Sequence, residues 1–175
     1  MKETVRYIIG YILGFTIFIV LIPFGLYKLS QVDCLLSDRV IFRSGFLRYI
    51  ISSLIFLVGA YFGILSNIFL NRIGKGGPVD ALGVSISPQT KKLVTIGPYR
   101  YSRNPMVFGA FSMYLSVVLY LNSIPGLICL IAFFVIIIIF LKLSEEKRLL
   151  KDFGDEYLDY KKKVSMIFPI KRIRK

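Results

Sequence analysis

The 175-residue chain contains no histidine, only two cysteines, and 10 acidic residues against 23 basic ones. Without histidine it lacks the commonest general base and the commonest ligand of transition metals. Cys34 and Cys129 alone cannot complete a four-ligand zinc site. One falls in an expected loop and the other in the middle of an expected spanning helix, so no disulfide between them is expected. No metal is expected either. Any catalysis must rest on carboxylates, tyrosine, arginine, lysine, backbone groups and a cofactor.

The shortage of acids leaves a net charge of +13, which raises the question of a nucleic-acid partner. The distribution of the charge argues against one. Basic residues sit between and after the apolar blocks, as the positive-inside rule produces, and anionic lipid headgroups suit the excess better than nucleic acid. Apolar residues make up 55% of the chain and the mean hydropathy is +0.68, both high for a soluble domain of this length.

Four apolar blocks predict an all-α integral membrane protein with about four spanning helices and a last helix that extends into the cytoplasm. The first block, Val5 to Leu29, is too long for a signal-peptide core and shows no small-residue cleavage site, so it reads as a retained span. Gly10 with Gly14, and Gly59 with Gly63 in the second block (Phe46 to Leu70), form small-xxx-small spacings that allow close helix approach. Ser66 and Asn67 suit interhelical hydrogen bonds or the entrance of a site. A polar stretch with Asp33, Asp38, Arg39 and Arg43 separates these two blocks.

Arg72 to Asn104 is glycine- and proline-rich, with six basic residues against the single acid Asp80, and so reads as a cytoplasmic loop. The third block, Met106 to Leu121, is short for a span, and Pro105 fits its first turn. Asn122 to Gly126 makes a tight turn into the fourth block, Leu127 to Leu143, and nothing breaks the helix before Lys151. Lys2, Arg6 and the Lys171 to Lys175 cluster place both ends on the side of the central loop. The expected organisation is a single membrane domain, residues 1–175. It comprises two N-terminal spans in residues 1–71 and two further spans with the central loop and cytoplasmic tail in residues 72–175, the part in which the motifs described below fall.

Two segments carry polar residues that spanning does not require. Gly97 to Pro105 precedes the third helix and Glu145 to Leu150 follows the fourth. The turn at Pro125-Gly126 makes those helices antiparallel, so both segments reach one mouth. The N-terminus of the third helix adds free N–H groups suited to a carboxylate or phosphate. From composition alone the cluster reads first as an interfacial belt.

The order of the residues adds more. Gly97-Pro98-Tyr99, Arg103-Asn104-Pro105 and Gly109 resemble the G-P-Y-x-x-x-R-H/N-P-x-x-x-G signature of isoprenylcysteine carboxyl methyltransferases and their phospholipid methyltransferase relatives. Glu145-Glu146, Leu149, Phe153-Gly154, Glu156-Tyr157 and Tyr160 match the E-E-x-x-L-x-x-x-F-G-x-E-Y-x-x-Y block of the same family. Gly74 to Pro78 and Leu93-Val94 look like the lead-in of its prokaryotic members.

The resemblance implies a membrane methyltransferase that uses S-adenosylmethionine near the cytosol on a hydrophobic, lipid-like acceptor entering from the bilayer. It also implies a cofactor pocket of Tyr99, Arg103, Asn104, Pro105, Glu145, Glu146 and Leu149, with Arg103 and Glu146 orienting the reacting groups. An arginine would position a carboxylate acceptor; a carboxylate such as Glu146 could take the proton of an amine. Asn104 stands where the isoprenylcysteine enzymes usually have His, and Val107 where Tyr is usual. Two other classes share parts of the pattern: a sterol-type NADPH reductase, generally longer, and a non-catalytic membrane scaffold.

Overall fold

A computed structural model describes residues 3–32, 40–76 and 90–170. Lys2, Asp33, Cys34, Asp38, Arg39, Gly77, Pro78, Asp80, Pro88, the Arg6 side chain and the Lys171 to Lys175 cluster lie outside the described residues. Among the described residues the chain is helical, with one isolated bridge between Ser102 and Ser165 and no strand.

Helix α1 (Glu3–Gly14) passes through a π-helical stretch (Phe15–Leu21) into α2 (Ile22–Ser30). Helix α3 (Gly45–Phe69) ends in a π turn (Leu70–Gly74), and α4 (Pro105–Leu121) and α5 (Ile124–Phe140) form a hairpin. A further π turn (Leu141–Glu145) joins α5 to α6 (Glu146–Lys163) without a break. Three continuous stretches, Ile8–Ser30, Gly45–Gly74 and Ile124–Lys163, are long and apolar enough to cross a membrane. The four expected spans are thus three long helices and one short one. At 17 residues, α4 reaches about 25 Å, less than the roughly 30 Å of a hydrocarbon core.

Helix α4 is short because both ends are fixed: Pro105 begins it and Asn122 ends it in the left-handed conformation, φ 57°. It is also the inner helix, packed chiefly on α3 and then on α2 and α5. Tyr114 and Val118 of α4 join Leu26 and Leu130 in a buried core. Large side chains such as Leu57 on α3 and Ile136 on α5 point outward, as lipid-facing residues of a polytopic bundle do.

The closest crossing is made by glycines. A Cβ on Gly59 would fall 2.7 Å from the Gly109 carbonyl oxygen, and one on Gly109 would fall 2.6 Å from the Gly63 backbone nitrogen. The Gly59-Gly63 spacing therefore serves α4, and Gly109, part of the signature, is a helix-packing residue. Polar groups add to the bundle. Tyr11 donates to Asn67 Oδ1 (2.8 Å) and accepts from Asn71 Nδ2 (3.0 Å), which ties α1 to α3. Ser66 instead bonds back to the Phe62 carbonyl of its own helix. Tyr114 donates to the Phe18 carbonyl (3.0 Å), within the π-helical stretch, where the wider turn alters the normal carbonyl pairing.

Beyond Leu143 the helix runs past the expected Lys151 to Lys163 and does not simply lead away from the bundle. Gly154 adopts φ 51° and ψ −126°, a conformation that L side chains rarely reach, and redirects the second half of α6. The residues after Gly154 pack back over the entrance to α4.

Candidate active site

The two segments singled out in the sequence meet at the end of the bundle where α4 begins. The first is a 3₁₀ turn, Gly97–Arg100, with Pro98 in its first positions and Gly97 at φ 62°. Gly97 also lies flat against the Phe69 ring, where a Cβ would come within 2.7 Å of ring carbons, so the turn is seated on the end of α3. The second, Glu145 to Leu150, opens α6 directly after the π turn Leu141–Glu145, whose wider turn shifts the helix register before Glu146.

Arg103 and Glu146 are joined by a buried ion pair through Nη1 and Oε1, with 6% and 10% of their side chains exposed. The same Arg103 nitrogen donates to the Tyr157 hydroxyl at 3.1 Å. The second carboxylate oxygen of Glu146 accepts from Lys161 Nζ at 2.6 Å, and Lys161 is 45% exposed. Glu146 is therefore held between an inner guanidinium and an outer ammonium. Arg103 Nε is buried and has no hydrogen-bond partner among the described residues.

Tyr157 and Tyr160 close the site from above. The Tyr160 hydroxyl donates to the Tyr99 carbonyl at 2.6 Å and stands 3.4 Å from that of Ser102. Leu149, Leu93 and Phe153 pack with Tyr157, Tyr160 and Val164 in an apolar cluster. Tyr99 is buried, and burial raises its hydroxyl well above the ordinary tyrosine range, with Tyr160 and Glu145 adding to the effect. Its hydroxyl therefore stays neutral at physiological pH.

The chain after α6 stitches the entrance of α4 in place. Arg103 N–H donates to the Ser165 carbonyl (2.9 Å), and both the backbone N–H and the side-chain Nδ2 of Asn104 donate to the Met166 carbonyl (3.0 Å each). Asn104 thus ties the C-terminal strap to the signature. Pro105, fully buried, starts α4 beside it. Glu145 is half-buried and pairs with Arg148 at 3.0 Å.

Arg103, Glu146, Tyr99, Asn104 and Pro105 thus lie in one connected cluster, with Leu149 in its apolar floor and Glu145 at its edge. Tyr157, Tyr160 and Lys161 complete it, although the motif reading gave them no role. The signal was present: positions 149, 153, 157, 160 and 164 form an apolar stripe at helical spacing, and Lys161 follows directly on that face.

A family model described as phospholipid methyltransferase matches residues 47–156, from the start of α3 into α6. Neither a search of curated proteins nor one of solved structures gives a match. The matched region is well over half of the chain and includes Arg103, Glu146 and the α4–α5 hairpin between them. The chain belongs to the phospholipid methyltransferase family.

Proposed function

We propose that the protein is an S-adenosylmethionine-dependent methyltransferase of the membrane, acting at its cytoplasmic face on a lipid-like acceptor. The observation that carries this is the buried Arg103–Glu146 pair at the mouth of the α4–α5 hairpin. A buried ion pair gives little net stability compared with apolar packing of the same volume. Charged groups buried together in this way at the end of a helix hairpin are candidates for a functional site.

The donor set fits the cofactor. Its methionyl carboxylate calls for a charged donor, and Arg103 keeps a buried, uncommitted Nε–H. Its amino group and ribose diol call for carboxylates, which Glu145 and Glu146 supply. Its sulfonium and adenine suit the face of Tyr99 and nearby backbone carbonyls. When bound, S-adenosylmethionine supplies an electrophilic methyl group on a positively charged sulfur.

Each residue then has a definite task. Arg103 binds and orients a carboxylate. Glu146, engaged on both oxygens, fixes the guanidinium of Arg103 and acts first as a positioning residue. Exposed Lys161 is the partner that can move away from Glu146 and free one oxygen for an amine or a ribose. Tyr160 and Asn104 hold the motif segments together, so alignment and exclusion of water do most of the work.

The family's description supports a phospholipid-type acceptor, and the exposed apolar faces of the bundle provide a route from the bilayer. Arg72, Lys75, Lys91, Lys92 and Arg100 lie near the end where the site sits, which supports a cytoplasmic orientation. Residues 1–71 serve as scaffold and residues 72–175 as catalytic core within one membrane domain.

The test is transfer of label from methyl-labelled S-adenosylmethionine into extracted phospholipid by purified protein in lipid nanodiscs. Label in the lipid fraction, absent for Arg103→Ala, is the expected result. Oxidation of NADPH without methyl transfer would replace this function with a reductase, and neither activity would leave a scaffold.

A further inference from the structure

At the opposite end of the bundle from Arg103, an open cleft of about 270 Å³ lies between the last residue of α2, the first turn of α3 and the α4–α5 turn. Ser30, Arg48, Asn122, Ser123 and Pro125 line it. The volume is just under the roughly 300–1,000 Å³ usual for small-molecule pockets, which suits a headgroup-sized ligand.

The chemistry of the lining points to an anion. Arg48 Nε is buried without a hydrogen-bond partner among the described residues, and Arg48 forms no ion pair among them. The guanidinium lies against the Tyr49 ring at 4.8 Å and donates from Nη2 to its hydroxyl at 2.9 Å, so it is held in place while Nε–H stays uncommitted. Ser123 accepts the Gly126 N–H at 3.1 Å, which leaves its own hydroxyl hydrogen to donate. Asn122 is fixed by two bonds to its Oδ1, from the N–H groups of Ile41 (3.0 Å) and Phe42 (2.8 Å), and by one from Nδ2 to the Phe42 carbonyl (3.0 Å). This clamp makes the wall rigid, and one Nδ2 hydrogen remains free.

Position identifies the source of the anion. Ser30 ends one candidate span and Arg48 lies in the first turn of another, so the cleft sits where the helices leave the hydrocarbon. Leu47 and Tyr120, both exposed, flank the lining and offer an apolar surface to an acyl chain.

We propose that this cleft is a discrete binding site for the phosphate group of a phospholipid in the leaflet facing away from the Arg103–Glu146 cluster. Arg48 is its anchor, with Ser123 as a second donor. Arginine suits this task because its planar guanidinium matches phosphate oxygens, which a lysine point charge does not.

Native mass spectrometry of the detergent-purified full chain, titrated with phosphatidylglycerol, tests the site. One phospholipid should remain bound after the others dissociate, with affinity about ten-fold or more lower for Arg48→Gln and partly kept for Arg48→Lys, as expected for charge-assisted hydrogen bonds. Diacylglycerol with the same chains should show no such retained adduct with wild-type protein, a comparison that stands even if the variants fail to fold. Equal retention of diacylglycerol, or an unchanged adduct in a folded Arg48→Gln, overturns the proposal. Displacement of the lipid by low concentrations of inorganic phosphate would also overturn it, in favour of a free-phosphate site.

Discussion

Arg103 and Glu146, 43 positions apart in the sequence, meet in the protein interior through Nη1 and Oε1, and Tyr157 shares the same nitrogen at 3.1 Å. Nearly the whole hairpin of α4 and α5 lies between them in the chain. The antiparallel turn at Asn122-Ser123 therefore determines whether the pair forms at all. Because both side chains are buried, Arg103 depends on Glu146 for electrostatic compensation, while Glu146 is shared between Arg103 and Lys161.

Glu146→Ala leaves Arg103 charged and buried with the Tyr157 hydroxyl as its remaining side-chain partner, and should destabilise the protein by about 3 kcal/mol or more, on the scale of broken buried pairs. Arg103→Ala should cost less, because Glu146 keeps its ion pair with Lys161. The double replacement Arg103→Met/Glu146→Leu should recover much of that loss yet bind no cofactor. Thermal unfolding in detergent alongside a binding assay separates the two effects. A double variant as unstable as either single one would show that the pair is not the electrostatic unit described here.

The helix crossing makes a sharper contrast. Gly109→Ala and Gly59→Ala each push a methyl group within 3 Å of opposing backbone and should cost about 1–3 kcal/mol as α3 and α4 move apart. Gly63→Ala, only four residues from Gly59, has nothing within 4 Å of the added carbon and should be neutral or slightly stabilising. Unfolding midpoints of the three variants check the ranking.

The C-terminal strap is held by Asn104. Asn104→Asp places an acceptor against the Met166 carbonyl, where Nδ2 now donates at 3.0 Å, and should loosen residues 164–168 more than Asn104→Ala does. Limited proteolysis should then cut the strap faster in Asn104→Asp than in Asn104→Ala, and slowest in wild type. Cofactor affinity should fall in the same order.

At Gly154 the backbone conformation itself is the constraint. With φ at 51° and ψ at −126°, Gly154→Ala should cost about 1–3 kcal/mol although no atom crowds the added carbon. The expected signature is a lowered unfolding midpoint together with a weakened Arg103–Tyr157 contact, visible as lower cofactor affinity.

Much of this was legible in the sequence. The apolar blocks located the helices, the glycine spacing in the second block marked a real crossing, and the turn at Asn122 to Gly126 produced the hairpin that brings Arg103 to Glu146. Three features were not. The π turns at Phe15–Leu21, Leu70–Gly74 and Leu141–Glu145 leave no composition signal, because one extra residue in a helical turn changes register but not hydrophobicity. The return of α6 depends on a single glycine conformation, and Gly154 reads in the sequence as a motif letter. The pairing of Lys161 with Glu146 was hidden, because the two lie 15 residues apart and meet only after that return. Asn104, which stands where histidine is usual, has a packing reason of its own in the bond to Met166.

The central claim is that Arg103 and Glu146 form the core of a cofactor site. Isothermal titration of the purified protein in detergent with S-adenosylhomocysteine tests it most directly, since the product needs no acceptor and cannot turn over. Saturable one-to-one binding is expected, abolished in the folded Arg103→Met/Glu146→Leu variant and retained in Arg48→Gln, whose substitution lies at the other end of the bundle. Absence of binding to the wild-type protein, or unchanged binding to the double variant, would contradict it.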